Sequence, residues 1–188
     1  MVDSTLAGAP HGEGVWGHTA ARPWFWRNRT ARRFWPVVTG AIDTEAAFAP
    51  DGQTLYFVSD RGGGPQVYRL SLGGGAVERV TFQGSYNISP AISPDGRYMA
   101  YISQVDAGYR LHLMELASGK VTPLTDTRDD ESPSFAPNSK LIIYATRAQG
   151  RDVLMTTPLD GRIKARLATT QADVREPVWG PHVQPPRR

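Results

Sequence analysis

Asp126, Asp129, Asp130 and Glu131 stand close together in the chain. Such a run could collect the oxygen ligands that a hard cation such as calcium takes, with Asp129 and Asp130 as the candidate ligands. The twelve-residue loop spacing of an EF-hand is missing, and a solvated turn is the plainer reading. Gly12-Glu-Gly-Val-Trp-Gly17 fits the G-x-G-x-x-G pattern that lets backbone amides approach a dinucleotide pyrophosphate. No strand pattern precedes it, no helix pattern follows, and the first acid downstream, Asp43, is not placed to hold a ribose. His11, His18, His112 and His182 are scattered, and no serine sits in a G-x-S-x-G elbow. With no cysteine, thiol nucleophiles, disulfide frameworks and cysteine-held metals are excluded. The residues point away from catalysis and resident cofactors, and towards binding.

Charge narrows the kind of partner. The net charge of +3 resides in the first 40 residues, where Arg22, Arg27, Arg29, Arg32 and Arg33 outnumber Asp3 and Glu13. The remainder is balanced, so it offers little of the counterion-release free energy that drives binding to nucleic acid. Apolar runs are broken by charges, Gly or Pro long before the roughly 18 residues of a membrane-spanning helix, so no membrane insertion is expected.

The elements that would position a binding surface are set by an internal repeat. Glu45-Ala-Ala-Phe-Ala-Pro50, Ser89-Pro-Ala-Ile-Ser-Pro94, Ser132-Pro-Ser-Phe-Ala-Pro137 and Glu176-Pro-Val-Trp-Gly-Pro181 align without gaps, their last prolines 44, 43 and 44 residues apart. Seven residues after the proline stand Phe57, Tyr101 and Tyr144. The turn is followed by Leu55 to Ser59, Tyr98 to Ser103 and Leu141 to Thr146, rich in β-branched and aromatic residues and read as buried strands. A polar or Gly-rich break leads to Gln66 to Leu70, Arg110 to Met114 and Asp152 to Thr156, whose alternation suits half-exposed strands. Short last strands follow at 77–81, 121–125 and 163–167.

Four short strands per unit of this length are a β-propeller blade; solenoid repeats of similar period would need a helical pattern. The expected fold is therefore all-β: a propeller fragment of three four-stranded blades, about 41–81, 82–125 and 126–168, plus one extra inner, closing strand at 174–181. The strand ending in Pro-Asp-Gly is expected innermost. Half a ring would leave two blade faces uncovered unless a partner or a second copy covers them. Residues 1–40, with Trp16, Trp24, Trp26 and Trp35, show no strand-turn periodicity and read as a disordered Trp- and Arg-rich leader, with 184–188 as a tail. The leader lacks the basic start and apolar core of an export signal.

Beyond the Pro-Asp-Gly repeat, Ser59-Asp-Arg-Gly-Gly-Gly-Pro-Gln66, Phe82-Gln-Gly-Ser-Tyr-Asn-Ile-Ser-Pro90, Thr127-Arg-Asp-Asp-Glu-Ser-Pro-Ser-Phe-Ala-Pro-Asn138 and Asp173-Val-Arg-Glu-Pro-Val-Trp-Gly-Pro181 resemble the last three blades of the TolB family. The likeness runs from about residue 41 to 183, and residues 1–40 fall outside it, as a mis-framed gene start would. It implies a non-enzymatic, periplasmic, protein-binding propeller of the Tol-Pal system, supporting outer-membrane integrity and cell division. The implied partners are the lipoprotein Pal on the propeller mouth and the translocation domains of bacteriocins. The family's TolA-facing part, in a preceding α/β domain, is expected to be missing here. Calcium in the central channel has a family precedent, but half a ring would supply half its ligands.

The inner loops converge on the propeller axis, so the expected partner-binding residues are Thr44, Glu45, Asn87, Ser89, Asp130, Glu131, Arg175 and Glu176. Thr44 is singled out because the resemblance places it on the Pal-sensitive surface. The competing use of these residues is satisfaction of backbone groups in tight turns. Competing functions are a non-catalytic regulatory propeller of a prolyl-oligopeptidase-like serine peptidase, and a sugar- or peptide-binding propeller.

Overall fold

A computed structural model describes residues 14–19, 22–28, 34–36, 41–167 and 173–180. Every element assigned among them is a strand. The first three are β1 (Gly14–Thr19), β2 (Arg22–Asn28) and β3 (Phe34–Pro36), an antiparallel sheet in that order. They lie where the composition led to an expectation of a disordered leader, and that expectation is corrected: Val15-Trp16, Trp24-Phe25-Trp26 and Phe34-Trp35 are residue types that favour strands, and what the segment lacks is the Pro-Asp-Gly turn signal of the later units.

Three four-stranded antiparallel sheets follow. The first holds β4 (Asp43–Phe48), β5 (Thr54–Ser59), β6 (Gln66–Ser71) and β7 (Glu78–Arg79). The second holds β8 (Asn87–Ile92), β9 (Tyr98–Val105), β10 (Gly108–Glu115) and β11 (Val121–Pro123). The third holds β12 (Glu131–Phe135), β13 (Leu141–Ala148), β14 (Arg151–Pro158) and β15 (Ala165–Arg166). These are the three expected blades, each an up-and-down meander ending in a very short strand, which limits the edge open to unwanted pairing.

The turn between the first two strands of each blade is built three times from one device. Asp51 Oδ1 accepts the N–H groups of Gln53 and Thr54 at 2.8 and 2.9 Å; Asp95 Oδ1 accepts Arg97 N–H at 3.1 Å; Asn138 Oδ1 accepts Lys140 N–H at 2.9 Å. Such Asx turns need a short side-chain acceptor, followed in the first two blades by glycine at positive φ, Gly52 at 62° and Gly96 at 71°.

Alternation along the second strand sends side chains to both faces of each sheet. Tyr56 and Val67 of the first blade meet Met99, Tyr101 and Met114 of the second. Ala100, Ile102, Leu111 and Leu113 on the second blade's other face, with Leu124 beside them, meet Phe135, Ile142 and Tyr144 of the third. Met99, Ala100, Leu111 and Ile142 are wholly buried. The fourth copy of the repeat, 173–180, has no ladder partner among the described residues, and where a closing strand was expected at 174–181 the described part is a segment without strand pairing, tied by Trp179 N–H donating to Ser134 Oγ at 3.2 Å. A strand needs a neighbour, and the strand that would follow this one is not among the described residues. Pro181, which would end it, lies outside them.

Burial pushes the Tyr101 phenol up to about 12 and raises that of Tyr144 as well. An unfolded phenol ionises near 10, so the contribution of the Tyr101 ring is fully present below pH 10 and is lost as pH rises through 12. Urea unfolding between pH 9 and pH 12 should show stability falling across this range, and falling less steeply for Tyr101→Phe. An equal slope for both proteins contradicts the assignment.

Candidate functional site

The inner strand of each blade carries a bulge at one position. Thr44 pairs with Val58 and Ala47 with Tyr56, so Glu45 and Ala46 stand opposite the single residue Phe57. Ser89 and Pro90 stand likewise opposite Tyr101, and Ser132 and Pro133 opposite Tyr144. The repeated aromatic thus lies across from the extra residue. The first bulge residue is left-handed each time, with φ of 53° at Glu45, 53° at Ser89 and 51° at Ser132, and Glu176 repeats the conformation at 51°. For residues other than glycine this costs about 1–2 kcal/mol apiece, so the surrounding sheet must hold it in place. The bulge breaks the ladder at the strand entrance and re-aims the residues there.

Side chains join the blades at this end. The Glu45 carboxylate accepts Ser89 N–H at 2.5 Å, linking the left-handed residues of adjacent blades. Arg175 donates from Nε to Asp152 Oδ2 at 2.5 Å and lies 3.8 Å from Glu131 Oε1. Within the first blade, Arg61 pairs with Asp43 at 3.1 Å. Between the first two blades is a cavity of about 200 Å³ with Ile42, Val58, Pro65 and Ile88 as apolar walls and Thr44, Glu45, Asp60 and Tyr86 as polar ones. Ile42, 70% exposed, stands at this cavity.

Of the expected partner-binding residues, Thr44, Glu45, Arg175 and Glu176 are exposed, and Ser89 and Glu131 half-buried. Asn87 and Asp130 are buried and do not line an accessible mouth, which corrects the expectation for both. Asn87 Nδ2 donates to Gln66 Oε1 and to Gln83 O, each at 2.8 Å, and Thr81 Oγ1 donates to the same Gln66 oxygen at 2.8 Å. One repeat later, Asp130 accepts from Thr125 Oγ1, from Thr127 Oγ1 at 2.5 Å and from Leu111 N–H at 3.1 Å. The carboxylate replaces the Gln–Asn pair in a knot that fastens the end of one blade to the start of the next. Asp129, the other calcium candidate, is exposed and lies outside this knot.

The cavity residues Ile42, Asp60, Pro65 and Tyr86 escape a reading of the inner loops alone, because Asp60 and Pro65 come from the following turn. The knot had a signal: Thr81 and Thr125 recur 44 residues apart, and Asn87 and Asp130 follow them by six and five residues. His112 is packed on Tyr101 at 5.7 Å between ring centroids, and burial lowers its pKa.

If Asp130 is structural, Asp130→Ala should cost about 3 kcal/mol in urea unfolding, the scale of removing a buried charge-assisted network. Exposed Asp129→Ala should change stability by less than about 0.5 kcal/mol. Equal effects at the two positions contradict the knot.

The profile of the TolB beta propeller domain, PD40, matches residues 27–183. The Tol-Pal system protein TolB of Bordetella pertussis is 52% identical over 140 residues, 74% of this chain and 32% of that protein. The chain therefore spans about a third of the length of this relative. The crystal structure of TolB from Acinetobacter baumannii superposes with a TM-score of 0.79 at 36% identity, covering 94% of this chain and 47% of that one. That match leaves 6% of the chain outside it, far less than the first 40 residues, so it enters the segment expected to lie outside the family. A puromycin-hydrolyzing peptidase of Mycobacterium tuberculosis shares the fold at 15% identity and a TM-score of 0.67, covering 84% of this chain and 29% of that one. The repeat, the three blades and the profile match over most of its length agree: the chain belongs to the TolB β-propeller family.

Proposed function

We propose that this chain is a non-enzymatic docking piece of the Tol-Pal system, working in the periplasm, whose inner-loop mouth receives the lipoprotein Pal and so supports outer-membrane integrity and cell division. The observation that carries the reading is the exposed group Ile42, Thr44 and Glu45 beside the cavity between the first two blades, in a chain whose relatives are named as Tol-Pal proteins. A surface of this kind binds through a few hot spots, with an apolar anchor in the cavity and hydrogen bonds at its rim. The strained bulges favour binding, because they fix the rim before the partner arrives and reduce the ordering cost of association. Bacteriocin translocation domains would compete for the same mouth. No TolA contact is assigned to these residues, since the resemblance places it in an α/β domain and no helix occurs among the described residues.

Thr44→Ile adds apolar bulk at the cavity and removes a rim hydroxyl. At a hot spot this should cost 2 kcal/mol or more, about thirtyfold in Kd for Pal by calorimetry. Lys120→Ala, exposed in the turn before β11, should leave Kd unchanged. Unchanged affinity for Thr44→Ile removes Thr44 from the site, and equal losses for both variants contradict docking at the mouth.

A further inference from the structure

The inner strand of a blade has one edge in its own ladder and the other turned to the preceding blade, and successive amides alternate between the two. Across the second edge Asn87 N–H donates to Pro65 O at 2.8 Å, Asp130 N–H to Tyr109 O at 3.0 Å, and Val174 N–H to Asp152 O at 3.5 Å. These three amides occupy one position of the repeat. Two residues further along the same edge come the left-handed residues Ser89, Ser132 and Glu176. The next residue is Pro90, Pro133 or Pro177, which has no N–H, so each of these turns in the chain has a single amide to satisfy.

The chain itself caps the first of the three. Ser89 N–H is taken by the Glu45 carboxylate of the preceding blade. The residues that stand in Glu45's position for the next two amides are Ser89 and Ser132, whose one-carbon side chains are too short to span the same gap. Among the described residues no side chain takes Glu45's part for the Ser132 or the Glu176 amide. Positive charge lies between the two: Arg175, which also holds Asp152, has its Nε 3.8 Å from Oε1 of Glu131, the neighbour of Ser132, and immediately precedes Glu176. An amide facing a carboxylate makes a stronger bond than one facing a neutral acceptor, and the protein displays that pairing at the one junction where its own side chain reaches.

The geometry points to the Ser132 and Glu176 amides as receivers for carboxylates of the docking protein, acidic side chains that repeat at the next two junctions the bond Glu45 makes at the first. This rests on the docking reading for the partner and adds the chemistry of its contact segment, which is acidic at two points.

Amide NMR spectra of the full chain test this. Sodium acetate, against sodium chloride at equal ionic strength, should move the Ser132 and Glu176 amide protons downfield and leave that of Ser89, already bonded, in place. Ser89→Glu puts a carboxylate where Glu45 stands one blade earlier, at a φ that Glu45 already adopts. In that variant the Ser132 amide should move downfield without acetate, and Pal should bind about tenfold more weakly, the scale of one charge-assisted bond. Unchanged Pal affinity with the Ser132 amide capped in this way overturns the proposal and leaves docking at the mouth standing. If Pal does not bind the unaltered chain, the docking reading falls and the acetate response decides: no shift at Ser132 and Glu176 overturns the proposal. Should Ser89→Glu fail to fold, Glu45→Ser decides by uncovering the Ser89 amide, which should then respond to acetate; a Ser89 amide that stays in place overturns the proposal.

Discussion

Burial of blade faces against one another is the constraint on which the rest depends. Each four-stranded sheet has two apolar faces, and no helix occurs among the described residues, so each face is covered by packing against another sheet. Met99 and Tyr101 do this on one side of the second blade, and Ala100, Ile102 and Leu111 on the other. The middle blade is therefore largely apolar on both faces, with His112 packed on Tyr101 as a polar exception. The position available for binding follows from that division. Only the loops and bulges at the ends of the blades are free to present hydrogen-bonding groups.

The bulges connect this packing to the mouth. An aromatic residue opposite each bulge, Phe57, Tyr101 or Tyr144, is held in the core, and the left-handed residue across from it is displaced out of the ladder. Glu45 then reaches the backbone of Ser89 in the neighbouring blade. The same local conformation gives different outcomes in successive blades, because Ser89 and Ser132 are too short to repeat that bridge. This end is regular in backbone and irregular in side chains.

Most of the fold was legible in the chain. Proline spacing marks the unit, and the Asp-Gly turns are legible because an Asx turn requires particular residues. Alternating strands such as Tyr98–Val105 are legible because both faces are buried. The strands of the leader were not, since their Trp and Phe residues favour strands but come without the turn residues and the alternation that mark the later units. Nor was the burial of Asn87 and Asp130. An acid or amide at a loop looks the same whether it faces a partner or a threonine of the preceding blade, and only the position of Thr125 beside Asp130 decides. Thr44 and Glu45 border a cavity that depends also on Asp60 and Pro65, brought in by folding from another turn.

The central claim is that a stack of blades, rigid through its faces, presents one end as a protein-binding surface. Hydrogen-exchange mapping of the full chain with and without Pal tests it most directly. The account predicts slowed exchange at 42–45, 86–89, 129–132 and 173–176, with the short outer strands β7, β11 and β15 unaffected. Slowed exchange confined to those outer strands would contradict it.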